Sequence, residues 1–187
     1  MGGPTAEIWA IETIKPIQNL LTMKSLFILS ALFAALSFST LQAQEKDAGK
    51  IVTHYFAWVD AGNLDAVGEL LTDDFTVSAP FSPSVTINKM GWKGVGESFK
   101  TAFPDMHHEI VDWFASGNKV AVRGVFTGTN TGSMMGNPPS NNKSEVPLTA
   151  IFELDGKGKI RSLDIKFDMK NFEAQLMAAP DAGKTNN

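Results

Sequence analysis

The sequence has no cysteine, and that absence removes disulfides, thiolate metal sites, cysteine nucleophiles and a lipid-modified cysteine anchor at once. Cationic runs are missing as well. Lys and Arg number 16 against 20 Asp and Glu, the net charge is −4 and the pI is about 5.3. A phosphate-backbone binder needs a basic stripe, so nucleic acid is not expected as a partner. No Gly-rich phosphate loop, Ser-His-Asp set or zinc-spaced cluster occurs, and Gly94-Val95-Gly96 has no strand leading into it as a dinucleotide motif requires. Neither a cofactor nor a metal is expected. Tyrosine occurs once, against 13 Phe and 4 Trp. That is more aromatic surface than a small domain needs to hold together, so part of it is expected to line a cavity.

What is present fits one globular domain: 187 residues, 43% hydrophobic and 19% charged. Near the start, Lys24 precedes an apolar run from Ser25 to Phe38, then polar Ser39-Thr40 and Leu41-Gln42-Ala43. The run is shorter than the roughly 18 residues of a membrane span and has the layout of a signal peptide. The expected organisation is therefore an upstream extension over 1–22, a signal peptide over 23–43, a domain over 44–180 beginning at Gln44, and a disordered tail over 181–187. The mature protein is expected to be exported, periplasmic or secreted, with no membrane anchor after cleavage.

From Lys46 to Asp60 the residues Ile51, Val52, Tyr55, Phe56 and Val59 recur at helical spacing. Ala61-Gly62 stops this helix, and Asn63 caps a second whose stripe is Leu64, Val67, Leu70 and Leu71. Phe75 to Ser78 reads as a short strand, followed by a loop through Pro80 and Pro83. A third helix is expected from Val95 to Phe103, ended by Pro104. His107–Ala115, Lys119–Thr129, Ser144–Leu154 and Lys159–Phe167 read as strands of an antiparallel sheet, and Lys170–Met177 as a closing helix. The Asn130–Asn142 loop, holding Met134-Met135, is expected to be a flap at the rim of the sheet. Helices first and sheet after give an α+β class.

Asp164, Lys166 and Asp168 alternate along the last strand with Leu163, Ile165 and Phe167, so the two sets face opposite ways. If the polar set lines a pocket, desolvation and repulsion push an Asp toward general-base use; if the apolar set does, the charges are solvated. His107 and His108 are adjacent on a strand and point apart. His108 shares a face with Ile110 and is the inward candidate for proton transfer, or else a satisfied rim histidine. His54 on the first helix is expected outside. Tyr55, Trp58, Trp92, Phe99, Phe126 and Trp113 are candidate ligand walls or plain core, and Met135 a flexible lid residue. Arg123 is placed to orient a carbonyl or carboxylate, or to pair with Glu153. Val120, Val122 and Phe126 face one way and Ala121 and Val125 the other, and a strand apolar on both faces predicts a homodimer through the sheet.

Phe103-Pro104-Asp105, Gly128-Thr129-Asn130-Thr131-Gly132, Met135-Gly136, Pro138-Pro139, Gly158-Lys159-Ile160 and Asp168 followed by Gln175-Leu176, in this order and spacing, resemble the SnoaL-like polyketide cyclases of the nuclear-transport-factor-2-like superfamily. The resemblance runs from about Lys50 to Met177. It implies a cone-shaped curved sheet packed on N-terminal helices, a deep apolar pocket, frequent dimers, and a cofactor-free intramolecular aldol step on a carboxylate of the last strand. Asp168 matches that carboxylate. Asn130 stands where the family's Gly-Thr-His-Thr-Gly has His, and Asp164 where a Trp is common. The resemblance thus implies Asp168 as acid/base, His108 as a second proton carrier, Asn130 as a donor to an enolate oxygen and Asp164 beside the substrate. An exported cyclase, lyase or isomerase acting on an apolar small molecule is expected. The alternatives are a periplasmic carrier or sensor of an apolar metabolite and an assembly module, since the fold class hosts all three.

Overall fold

The computed structural model describes residues 47–134 and 136–178, all within the unit Glu45–Asn187. The upstream extension, the signal peptide and the 181–187 tail lie outside the described residues. No helix among the described residues is long and apolar enough to cross a membrane.

Helix α1 (47–61) turns Val52, Tyr55 and Phe56 inward at spacings of three and one. It ends in a Schellman arrangement: the Gly62 amide donates to the Val59 carbonyl and the Asn63 amide to that of Trp58, both at 2.9 Å. Gly62 sits at φ 73°, a left-handed conformation that a side chain would strain. Asn63 then caps α2 (Leu64–Leu70), its side chain accepting from the Ala66 amide. The second helix stops one residue before the sequence predicts, because Leu71 opens a strand.

That strand, β1 (Leu71–Ala79), pairs with β2 (Ser82–Asn88), where the sequence predicts a loop. β2 lies at the sheet edge, the place where a strand tolerates a proline such as Pro83. Asn88 caps α3 (Lys89–Ala102), accepting from the Gly91 amide at 2.9 Å. The helix begins six residues before the expected Val95, since its cap outweighs the helix-weakening Gly91 and Gly94. β3 (His107–Ser116), β4 (Lys119–Thr129), β5 (Lys143–Leu154) and β6 (Ile160–Phe167) follow, then α4 (Met169–Met177).

The six strands form one curved sheet in the order β2-β1-β6-β5-β4-β3. The four strands that the sequence reads as an antiparallel sheet, β3 to β6, are antiparallel throughout, β1 pairs antiparallel with β2, and the one parallel pair among the described residues is β1 with β6. Strand periodicity reports faces, not the direction of a partner strand. β5 alternates exposed and buried from Lys143 to Phe152, so one face meets the helices and the other meets solvent. The packed face carries Val120, Val122, Phe126, Val146, Leu148, Ala150, Phe152, Leu163 and Ile165. A register shift between Ile110 and Asp112 inserts Val111 as a bulge, which bends β3. The Asn142 side chain ties down the end of α4, donating to the carbonyls of Gln175, Leu176 and Ala178 at 3.1, 3.2 and 2.8 Å.

Candidate active site

Between the helices and the packed face lies a cavity of about 700 Å³, within the roughly 300–1,000 Å³ range of small-molecule sites. Its walls are Phe56, Val59, Phe81, Phe99, Met106, Phe126, Val146, Leu148, Ile165, Phe167 and Phe172, with Tyr55, Trp92 and His108 among them. Exposed Asp65, Glu69, Asp73, Asn88 and Lys93 and the half-buried Lys89 stand where α2, β1 and α3 meet solvent. Lys93 is held by Asp65 at 2.7 Å, and Lys89 donates to the Leu71 carbonyl at 3.3 Å. The charges therefore form a rim, and the walls inside it are apolar apart from two polar spots.

The first spot is His108. Its ring packs on Phe56 and Phe126, at centroid separations of 5.1 and 5.4 Å, and its side chain is 12% exposed. Nδ1 lies 2.5 Å from Oδ1 of Asp60, a residue of the last turn of α1. A carboxylate can only accept, so Nδ1 carries a proton toward Asp60, and in the neutral ring the lone pair is therefore on Nε2. Nε2 has no hydrogen-bond partner among the described residues. Asp60 also accepts from the His108 amide at 2.8 Å and from Nδ1 of His107 at 3.1 Å. Burial pushes the Asp60 carboxyl up, but the His108 hydrogen bond and charge, the His108 amide and His107 outweigh it and hold the carboxyl below the ordinary carboxylate range. Asp60 is thus a fixed anion behind an imidazole that lines the cavity.

The second spot is Tyr55, whose oxygen lies 2.7 Å from Nε1 of Trp92. Burial pushes the Tyr55 hydroxyl well above the ordinary phenol range, against the lowering effect of Trp92, so it stays neutral.

The SnoaL-like polyketide cyclase family profile matches residues 49–176, well over half of the chain. The chain belongs to the SnoaL-like polyketide cyclase family. Among solved structures it is similar to a SnoaL-like protein from Jannaschia sp. CCS1 proposed to be a polyketide cyclase, at a TM-score of 0.66 and 19% identity, covering 73% of this chain and 95% of that one. IdmH from Streptomyces antibioticus, a proposed polyketide cyclase, gives a TM-score of 0.62 and 25% identity over 70% and 99% of the two chains. AclR from Streptomyces galilaeus, a proposed hydroxylase, gives 0.64 and 19% over 75% and 87%. No curated protein matches the chain in sequence. The fold is that of the nuclear-transport-factor-2-like superfamily, and its carrying both a proposed cyclase and a proposed hydroxylase means that the site must argue the chemistry.

The cavity of this SnoaL-like protein gathers Tyr55, Trp92, Phe99, Phe126 and His108 from the residues expected on sequence grounds. Trp58 is not in its lining; the ring stacks on the exposed His54 at 5.7 Å. Asp164 is on the opposite sheet face, 2.5 Å from Lys166, while Ile165 and Phe167 of the same strand line the cavity. The apolar set of β6 is the inward one. Asp168 follows the strand as the cap of α4, exposed and accepting the Asn171 amide at 3.0 Å, outside the lining. Asn130 is 2% exposed, but its amide is spent on the chain itself: Nδ2 donates to Gly132 O at 2.8 Å and Oδ1 accepts from the Ser140 amide at 2.9 Å. It locks the 130–142 loop against α3, where a Cβ on Gly132 would lie 2.2 Å from the Thr101 carbonyl oxygen. Neither side chain reaches the cavity, which corrects their expected positions. Arg123 pairs with Asp112 across β3 and β4 at 2.6 Å, not with Glu153. Met135 lies outside the described residues. Asp60 is the residue that sequence reasoning misses. Its only local signal is an aspartate in the last turn of a helix, where the dipole disfavours it.

Proposed function

We propose that this SnoaL-like protein is an enzyme of the cyclase or isomerase type that moves a proton on an apolar small molecule through His108, using only its own side chains. The observation that carries the reading is the Asp60–His108 pair at the wall of an otherwise apolar cavity. With Nδ1 donating to Asp60, Nε2 can take a proton from an acidic C–H, and the Asp60 carboxylate offsets the positive charge that then appears on the ring. The dry walls strengthen that interaction, because it falls off less in a medium of low dielectric.

The test is hydrogen–deuterium exchange at the α-carbons of 2-tetralone in D₂O, followed by NMR. The native protein should accelerate exchange, and His108→Gln should lose roughly 10²- to 10⁴-fold of that acceleration. A His108→Gln protein exchanging at the native rate would remove the proposal. Binding of 2-tetralone with no acceleration by the native protein would leave a carrier of apolar metabolites as the reading.

Export and a homodimer belong to the same proposal. The outer sheet face supports the dimer: Phe114 is 70% and Ile151 48% exposed, aligned across β3, β4 and β5 through Ala121. Intact mass and sedimentation of protein from its native host should give a dimer whose chain begins at or near Gln44, and an intact monomer would count against both.

A further inference from the structure

The hydrogen-bond inventory of the Tyr55–Trp92 pair does not close. An indole N–H can only donate, so in the 2.7 Å contact Tyr55 must be the acceptor. The Tyr55 hydroxyl hydrogen must then be directed elsewhere, and it has no acceptor among the described residues. Tyr55 is 2% exposed, and its neighbours Phe56 and Phe152, edge to face with its ring at 5.3 and 5.2 Å, offer no oxygen or nitrogen acceptor from their side chains. A buried donor left unmade is expensive. The side on which it can be satisfied is the cavity, which Tyr55 and Trp92 both line.

We infer that Tyr55 is the residue that recognises an oxygen of the substrate, and that the substrate is a carbonyl compound with an apolar body, its oxygen at Tyr55 and an enolisable carbon toward His108. The inference rests on the reading of His108 as the proton carrier for its catalytic part only. Trp92 fixes the phenol oxygen, which removes rotational freedom from the donor and polarises its O–H bond. Burial keeps the phenol neutral, so it stays a donor and does not become a competing anion. Phe81 lies parallel to the Trp92 ring at 6.4 Å.

The step balances within these groups. Nε2 of His108 takes a proton from the carbon next to the carbonyl. The C–H electron pair becomes a C=C bond, the C=O π pair moves onto oxygen, and the enolate oxygen is held by the Tyr55 O–H. The proton on His108 returns to another carbon in an isomerisation, or to the alkoxide formed when the enolate carbon attacks a second carbonyl of the same molecule. A donor aimed at the oxygen that becomes charged lowers the barrier more than it tightens binding of the ketone.

The probes are 2-tetralone, whose oxygen accepts but cannot donate, and tetralin, its oxygen-free counterpart. The native protein should prefer 2-tetralone over tetralin in calorimetric titrations. Tyr55→Phe should lose roughly 3- to 10-fold in 2-tetralone affinity with tetralin unchanged, and roughly 10²- to 10³-fold in exchange rate. The double variant Tyr55→Phe/Trp92→Phe removes both partners of the hydrogen bond, so no indole N–H is left unpaired if the single variant folds poorly. It should show the same loss of preference. His108→Gln should keep the preference while losing exchange, which separates the two readings. A native protein without preference, or a Tyr55→Phe protein that keeps it, overturns the inference. A His108→Gln protein that still exchanges overturns the proton carrier and leaves the oxygen site standing.

Discussion

Asp60 and Asp168 both stand at helix ends and both accept a backbone amide, yet one obeys the local rules of helix stability and the other breaks them. Asp168 caps the start of α4, where its carboxylate satisfies the Asn171 amide and meets the positive end of the helix dipole. Asp60 occupies the last turn of α1, near the negative end, where a carboxylate costs about 0.3–1 kcal/mol. What holds it there is the set of donors from β3: the His108 amide and the two adjacent imidazoles. A residue that fits its local environment needs no further role. One that violates it and is held by a constellation from another element marks a place where function has been put ahead of local stability.

The comparison breaks most sharply at Asp60. In Asp60→Asn one oxygen becomes an NH₂. If that group replaces Oδ2 it faces the His108 amide donor, and if it replaces Oδ1 it faces Nδ1–H. Either orientation leaves a donor against a donor in a half-buried site. We expect a loss of about 1–3 kcal/mol in stability and of roughly 10²-fold in 2-tetralone exchange, as His108 loses its fixed tautomer. The acid limb of stability should change too. The folded carboxyl titrates below its unfolded counterpart, so its contribution is complete above the ordinary carboxylate value of about 4 and is lost as pH falls below it through the depressed one. Urea midpoints across that window should fall less steeply for Asp60→Asn than for the native chain. Parallel curves would mean that Asp60 is not the coupled anion it is taken to be.

The fold was readable from the sequence wherever one residue's burial repeats at a fixed period, as along β5 and α1. It was less readable where a local rule competes. Pro83 reads as a loop but is tolerated on an edge strand, and the glycines of α3 hide a helix that Asn88 starts. His108 was visible as the inward member of its pair because alternation with Ile110 fixes its face. Its partner was not, because 48 residues separate Asp60 from His108 and no periodicity links a helix end to a strand start. Tyr55 lines the cavity, but its hydroxyl proton without an acceptor among the described residues becomes visible only once Trp92 is seen donating to it. The family resemblance pointed to the right fold and to the last strand, and β6 does face the cavity through Ile165 and Phe167. Asp168 lies one residue beyond the strand, where the chain has already turned into α4.

The smallest expected effects are at Asp168, and they sharpen the comparison because two substitutions there separate a cap from an acid. Asn caps a helix about as well as Asp, since its side-chain oxygen accepts the same amide. Asp168→Asn should therefore keep the native stability to within a few tenths of a kcal/mol, with only the charge interaction with the helix dipole lost. Asp168→Ala removes the acceptor and should cost about 1 kcal/mol, read as a lower urea midpoint at unchanged slope. Neither should alter 2-tetralone exchange, because the carboxylate is exposed and outside the cavity lining. A proton-carrying role gives the opposite pattern: Asp168→Asn would lose roughly 10²- to 10⁴-fold in rate at native stability. That result would return the acid/base to the position the family resemblance implies and reduce the Asp60–His108 pair to a structural clamp between α1 and β3.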